Sequence, residues 1–117
     1  RASRRHKQFS FRPDVTLTNE ANQDYSILEV VSPDRPGLLS IIAQIFLDLG
    51  IELQSAKITT LGERVEDLFY ITYQQGKPVH DESLAETLIS RIENELDSFV
   101  QKEFDAVRDS NKTRNVN

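Results

Sequence analysis

The chain has 117 residues, enough for one compact domain with a single core, and its apolar fraction of 38% is concentrated between two polar ends. Residues 1–8 read as a basic linker, 9–104 as the domain and 105–117 as a polar C-terminal tail. A net charge of −5 argues against a nucleic-acid partner, and the lack of cysteine removes disulfides, thiolate zinc sites and thiol nucleophiles. No apolar run is long enough to span a bilayer and the first residues lack the apolar segment of a signal peptide, so the expected location is the cytoplasm, with no membrane. His6 and His80 stand in unrelated contexts, which argues against a histidine-based metal site.

In chain order, Phe9, Phe11, Val15 and Leu17 alternate with polar residues, the period of a half-buried strand. Pro13 shares their face and cannot donate to a ladder, which places this strand at a sheet edge. After a polar connection, residues 25–31 form a second strand so rich in Ile27, Leu28, Val30 and Val31 that it should be central. Pro33-Asp34-Arg35-Pro36-Gly37 breaks that strand, and Leu38, Ile42, Ile45 and Leu49 then follow helical spacing until Gly50, a C-cap glycine. The third strand, residues 51–61, changes phase between Leu53 and Ala56, which predicts a bulge at Gln54 and Ser55. Gly62, Glu63 and Arg64 make a turn into the fourth strand, residues 65–73. A last helix, capped by Asp81 or by a Ser83 and Glu86 capping box, carries the stripe Leu84, Leu88, Ile92 and Leu96 and is expected to run to about Phe104.

This order predicts an α+β fold with two helices on one face of a four-stranded antiparallel sheet, ferredoxin-like, the N-terminal strand replacing the usual last strand. Strands apolar on both faces but covered by helices on only one predict sheet-to-sheet or edge-to-edge pairing with a second such domain, either an upstream copy in the parent chain or a symmetry mate.

The stretch Pro33-Asp34-Arg35-Pro36-Gly37-Leu38-Leu39 resembles the junction of first strand and first helix in ACT domains. The stretch from Ala56 to Phe69, with Gly62-Glu63-Arg64-Val65-Glu66-Asp67, is similar to the second ACT domain of bacterial bifunctional uridylyltransferases; where many relatives place an asparagine, Ser55 stands here. The resemblance implies a parent enzyme that adds a uridylyl group to the P-II protein when glutamine is scarce and removes it when glutamine is abundant. It further implies magnesium in the parent's catalytic domains, L-glutamine as ligand here, and a second ACT domain as partner. The motifs of those catalytic domains do not occur in this chain, so no catalytic residue, cofactor or metal ligand is assigned to it.

The ligand-binding candidates are Asp34, Arg35, Pro36, Gly37, Leu38, Leu39, Gln54 and Ser55. The helix start offers free N–H groups and a positive dipole end to a carboxylate, and Gly37 allows close approach. Asp34 could take an ammonium, though an ordinary cap is favoured; Arg35 could pair with a carboxylate; Gln54 and Ser55 could read an amide or satisfy the bulge itself. The run Glu63, Glu66 and Asp67 reads as a solvated hairpin, with alternation separating the last two. Two other classes fit the residues less well: an acylphosphatase-like enzyme, in which Arg35 fits but no asparagine occurs between Asn22 and Asn94, and an RNA-binding sheet, for which Tyr70 and Tyr73 fall on opposite faces.

Overall fold

A computed structural model describes residues 13–34 and 36–116, with side chains 99–104, 107 and 109–116 left aside. Its elements are β1 (Asp14–Asn19), β2 (Ser26–Pro33), α1 (Leu38–Leu49), β3 (Ile51–Leu61), β4 (Arg64–Tyr73) and α2 (Glu82–Val116). The sheet order is β1-β2-β4-β3 with every neighbour antiparallel, so β2 and β3 run parallel with β4 between them. This is the expected ferredoxin-like α+β arrangement, and β1 takes the edge predicted from Pro13, which sits just before it. Phe9 and Phe11, expected in the same strand, lie outside the described residues.

Alternation decides which side chains enter the core. Leu28 and Val30 of β2 and Val65, Phe69 and Ile71 of β4 point to the helix side, where they meet Ile42, Ile45 and Phe46 of α1 and Leu88, Ile92 and Leu96 of α2. Phe46 and Phe69 meet edge to face with centroids 5.7 Å apart. The opposite face carries Ile27, Val31, Leu68 and Tyr70 only half-buried, and no helix among the described residues covers it.

The predicted bulge is present. Leu53 pairs with Ile71 and Ser55 with Tyr70, so Gln54 is the extra residue, and Ala56 and Ile58 return to the face of Ile51 and Leu53. Gly50 ends α1 in the left-handed conformation at φ 72°, its N–H reaching the Leu47 carbonyl at 3.3 Å.

Of the two caps open for α2, Asp81 serves: its Oδ1 accepts from the N–H groups of Ser83 and Leu84 at 2.9 and 3.1 Å. Ser83 lies inside the helix, so the capping box does not form. The helix also continues well past Phe104, to Val116, because no glycine or proline interrupts it after its start. The approach to α2 is pinned by a part-buried polar cluster in which Val79 N–H donates to Ser26 Oγ, Ser26 Oγ to Asn19 Oδ1, and Asn19 Nδ2 back to the Val79 carbonyl.

Candidate functional site

The turn from β2 into α1 is built around a glycine that must have a positive φ. Gly37 is the N-cap residue at φ 80°, ψ 2°, and the Ile41 N–H donates to its carbonyl at 3.0 Å, the first bond of the helix. The N–H groups of Leu38, Leu39 and Ser40 therefore precede the ladder, and among the described residues none meets an acceptor. The first turn holds no acidic side chain to offset the dipole. Just upstream, the Asp34 N–H donates to the Glu63 carbonyl at 2.7 Å, fastening this turn to the β3–β4 hairpin.

Between them lies an open notch of about 270 Å³. Asp34, Gly37, Leu38, Leu39 and Ser40 form its loop and helix side, while Ile58, Thr60, Val65 and Asp67 form its floor on the sheet. That volume falls just under the roughly 300 Å³ at which clefts for drug-sized molecules begin, a size suited to a small metabolite. Its walls combine donors, carboxylates and apolar side chains, and Leu39 and Ile58 are each about half exposed, at 48% and 46%.

Asp67 corrects the sequence reading. A solvated hairpin was expected, but its side chain is 1% exposed and on the core face, in line with Val65, Phe69 and Ile71. Among the described residues its Oδ1 has no hydrogen-bond partner. Burial pushes its carboxyl above the ordinary range, the Thr59 backbone N–H pulls it part-way back, and the nearby Asp34 carboxylate pushes it up again. Glu66, one residue away, lies on the other face and pairs with Arg64 at 2.9 Å, as alternation required. The signal for Asp67 was present in the sequence: it continues the same odd-numbered row as Phe69 and Ile71.

The structure brings together four of the predicted candidates, Asp34, Gly37, Leu38 and Leu39. Pro36 sits exposed in the adjoining turn without lining the notch, and Arg35 lies outside the described residues. Asp34 does not cap α1, since Gly37 occupies that position and no side chain bonds the helix start. Gln54 and Ser55 are separate from the notch: Ile58, its nearest β3 residue, lies three positions beyond Ser55, roughly 10 Å along the strand. Gln54 Nε2 instead donates to Thr72 Oγ1 at 2.8 Å, and Thr72 Oγ1 donates to Glu52 Oε1 at 2.9 Å, so Gln54 satisfies the bulge. A Cβ built on Gly37 meets no atom of the chain within 4 Å, and what requires glycine here within the chain is the left-handed backbone.

No protein-family model matches the chain. Among curated proteins, the bifunctional uridylyltransferase/uridylyl-removing enzyme of Azotobacter vinelandii is 47% identical over 104 residues, covering 86% of this chain and 12% of the relative. The enzymes of the same name from Pseudomonas aeruginosa and Pseudomonas entomophila are 48% and 49% identical over 96 residues, covering 82% of this chain and 11% of each. The chain is homologous to one segment of these enzymes. It spans about one-eighth of the curated relatives' length, and the uridylyltransferase likeness covers most of its own. Among the described residues, no helix is long and apolar enough to cross a membrane.

Proposed function

We propose that this chain is a regulatory ACT domain, the second and C-terminal of two, in a cytoplasmic bifunctional uridylyltransferase/uridylyl-removing enzyme. In this reading it senses L-glutamine and thereby sets the balance between adding and removing uridylyl groups on the P-II protein. Magnesium belongs to the catalytic domains of that parent. The observation that carries the reading is the notch at the start of α1, where N–H groups that meet no acceptor among the described residues face carboxylates across a space fit for an amino acid. The homologous segment in enzymes of that name supports the parentage.

The partner in this reading is a second ACT domain, docking along β3. That edge strand is 11 residues long and exposed along nearly its whole length. Among the described residues its outer row of backbone groups has no paired strand, and Leu53, Ile58 and Leu61 are each about half exposed, the features of a strand that invites pairing.

Thermal unfolding with a panel of amino acids, on the tandem pair and on the parent enzyme, tests the sensor. A ligand at a hundred times its Kd stabilises the folded state by about 2.7 kcal/mol, which in a domain of this size raises Tm by several degrees. The expected outcome is such a rise with L-glutamine. A flat response of the tandem overturns the glutamine assignment. The same exposed β3 favours a second reading, an interaction module with no ligand of its own, which predicts pairing of domains and silence towards every amino acid.

A further inference from the structure

Two unsatisfied halves of one contact line the notch. On the helix side, α1 begins without a side-chain cap and without an acidic residue in its first turn. The N–H groups of Leu38, Leu39 and Ser40 there meet no acceptor among the described residues. On the sheet side, Asp67 is 1% exposed and its Oδ1 meets no donor among the described residues, whereas buried Ser26, Ser32 and Thr72 each make hydrogen bonds. The charges around Asp67 leave it one counterpart. Asp34, from the turn, faces the same notch and opposes a second negative charge. The residues that β3 and α1 bring to the notch are uncharged. Glu66 with its partner Arg64, and Lys57 in register with Leu68, lie on the opposite face of the sheet; Glu63 is exposed in the hairpin, and Arg35 lies outside the described residues. The positive potential in the notch is therefore the start of α1 itself.

We propose that Asp67 is a tertiary cap for α1: in the empty chain the notch closes, and Asp67 Oδ1 accepts from the N–H groups at the helix start. A carboxylate at a helix N-terminus gains from the hydrogen bonds and from the dipole together. The contact also completes a buried charge that otherwise costs free energy. The open notch and the capped form are then two states of one element, and their balance is linked to a proton. In the open form burial holds the Asp67 carboxyl above its ordinary range, with the Thr59 N–H pulling it down and Asp34 pushing it up. In the closed form the added N–H donors bring it down. Closure therefore releases a proton and is favoured as pH rises through the interval between the two values, while the neutral acid at lower pH leaves the notch open. Capping places Asp67 where an anionic group entering the notch would sit, so any such occupant has to break the contact first. The inference concerns the empty chain and does not depend on which molecule enters the notch.

Nuclear magnetic resonance of this chain without ligand, from about pH 4 to about pH 8, tests it by following amide exchange and the Asp67 carboxyl carbon. After correction for the intrinsic pH dependence of exchange, at least one amide among Leu38, Leu39 and Ser40 should gain about tenfold protection or more as pH rises. The midpoint of that gain should coincide with the titration of the Asp67 carboxyl. Asp67→Asn keeps the size and removes the titration, so its profile should be flat. Asp67→Leu removes the acceptor and should leave the three amides unprotected at every pH, while the amides of β2 and β4 stay protected and report an intact fold. Three outcomes each overturn the cap: amides that stay unprotected while Asp67 titrates, a pH-dependent gain that persists in Asp67→Asn, and protection retained in Asp67→Leu.

Discussion

Asp67 is the residue at which burial and charge conflict most sharply. Because its carboxyl is raised in the folded state by burial, and further by Asp34 against the pull of the Thr59 N–H, the folded chain holds a proton that the unfolded chain has released. Its contribution to stability is thus fully present below the ordinary aspartate value of about 3.9 and is lost as pH rises through the raised folded value. Denaturant unfolding across that range should show Asp67→Asn gaining on the unsubstituted chain as pH rises. A constant difference at all pH values would place the unpaired charge elsewhere. Gly37 obeys a different rule. Space is open around it, so Gly37→Ala should cost only the left-handed backbone, about 1–2 kcal/mol by denaturant midpoint, and larger side chains there report strain before they report ligand binding.

At the scale of elements, the bulge in β3 reconciles two runs of apolar residues that are out of phase. Deleting Gln54 leaves Leu53 and Ala56 in regular alternation and removes the Thr72 hydrogen bond, so the fold should survive at a cost of about 1 kcal/mol. Deleting Lys57 instead sends Ile58 and Thr60 to the opposite face, and hydrogen exchange along β3 should then lose protection from Ile58 onward. In α2, Asp81→Ala should cost about 1 kcal/mol through loss of the cap. Leu88→Ala, at a fully buried position of the α2 stripe, should cost about 2–5 kcal/mol. Thermal or chemical unfolding separates the two easily.

For the whole molecule, the sheet is covered by helices on one face and flanked by unequal edges. The β1 edge is short, at 6 residues, and closes with Pro13 before it; the β3 edge is nearly twice as long and open. The proposed pairing through β3 predicts self-association of the isolated chain. Sedimentation should show a concentration-dependent dimer that Leu53→Lys and Ile58→Lys, on the exposed strand, convert to monomer without lowering Tm. A strict monomer at high concentration would remove the paired-domain part of the function.

Fold class, the edge position of β1, the bulge at Gln54 and the helix stop at Gly50 were legible in the sequence because each is a local rule: a period, a missing donor, a phase change, a residue free to adopt positive φ. Even the face of Asp67 followed from alternation, though its charge made solvent the natural expectation. Only the tertiary structure decided that Asp67 is buried and unpaired, that Asp34 leaves the helix start uncapped, and that Gln54 and Ser55 stand apart from Gly37. Those outcomes depend on which strands become neighbours and how far a helix end sits above the sheet. Such distances between residues remote in sequence are set by packing of the core as a whole, and no local period encodes them.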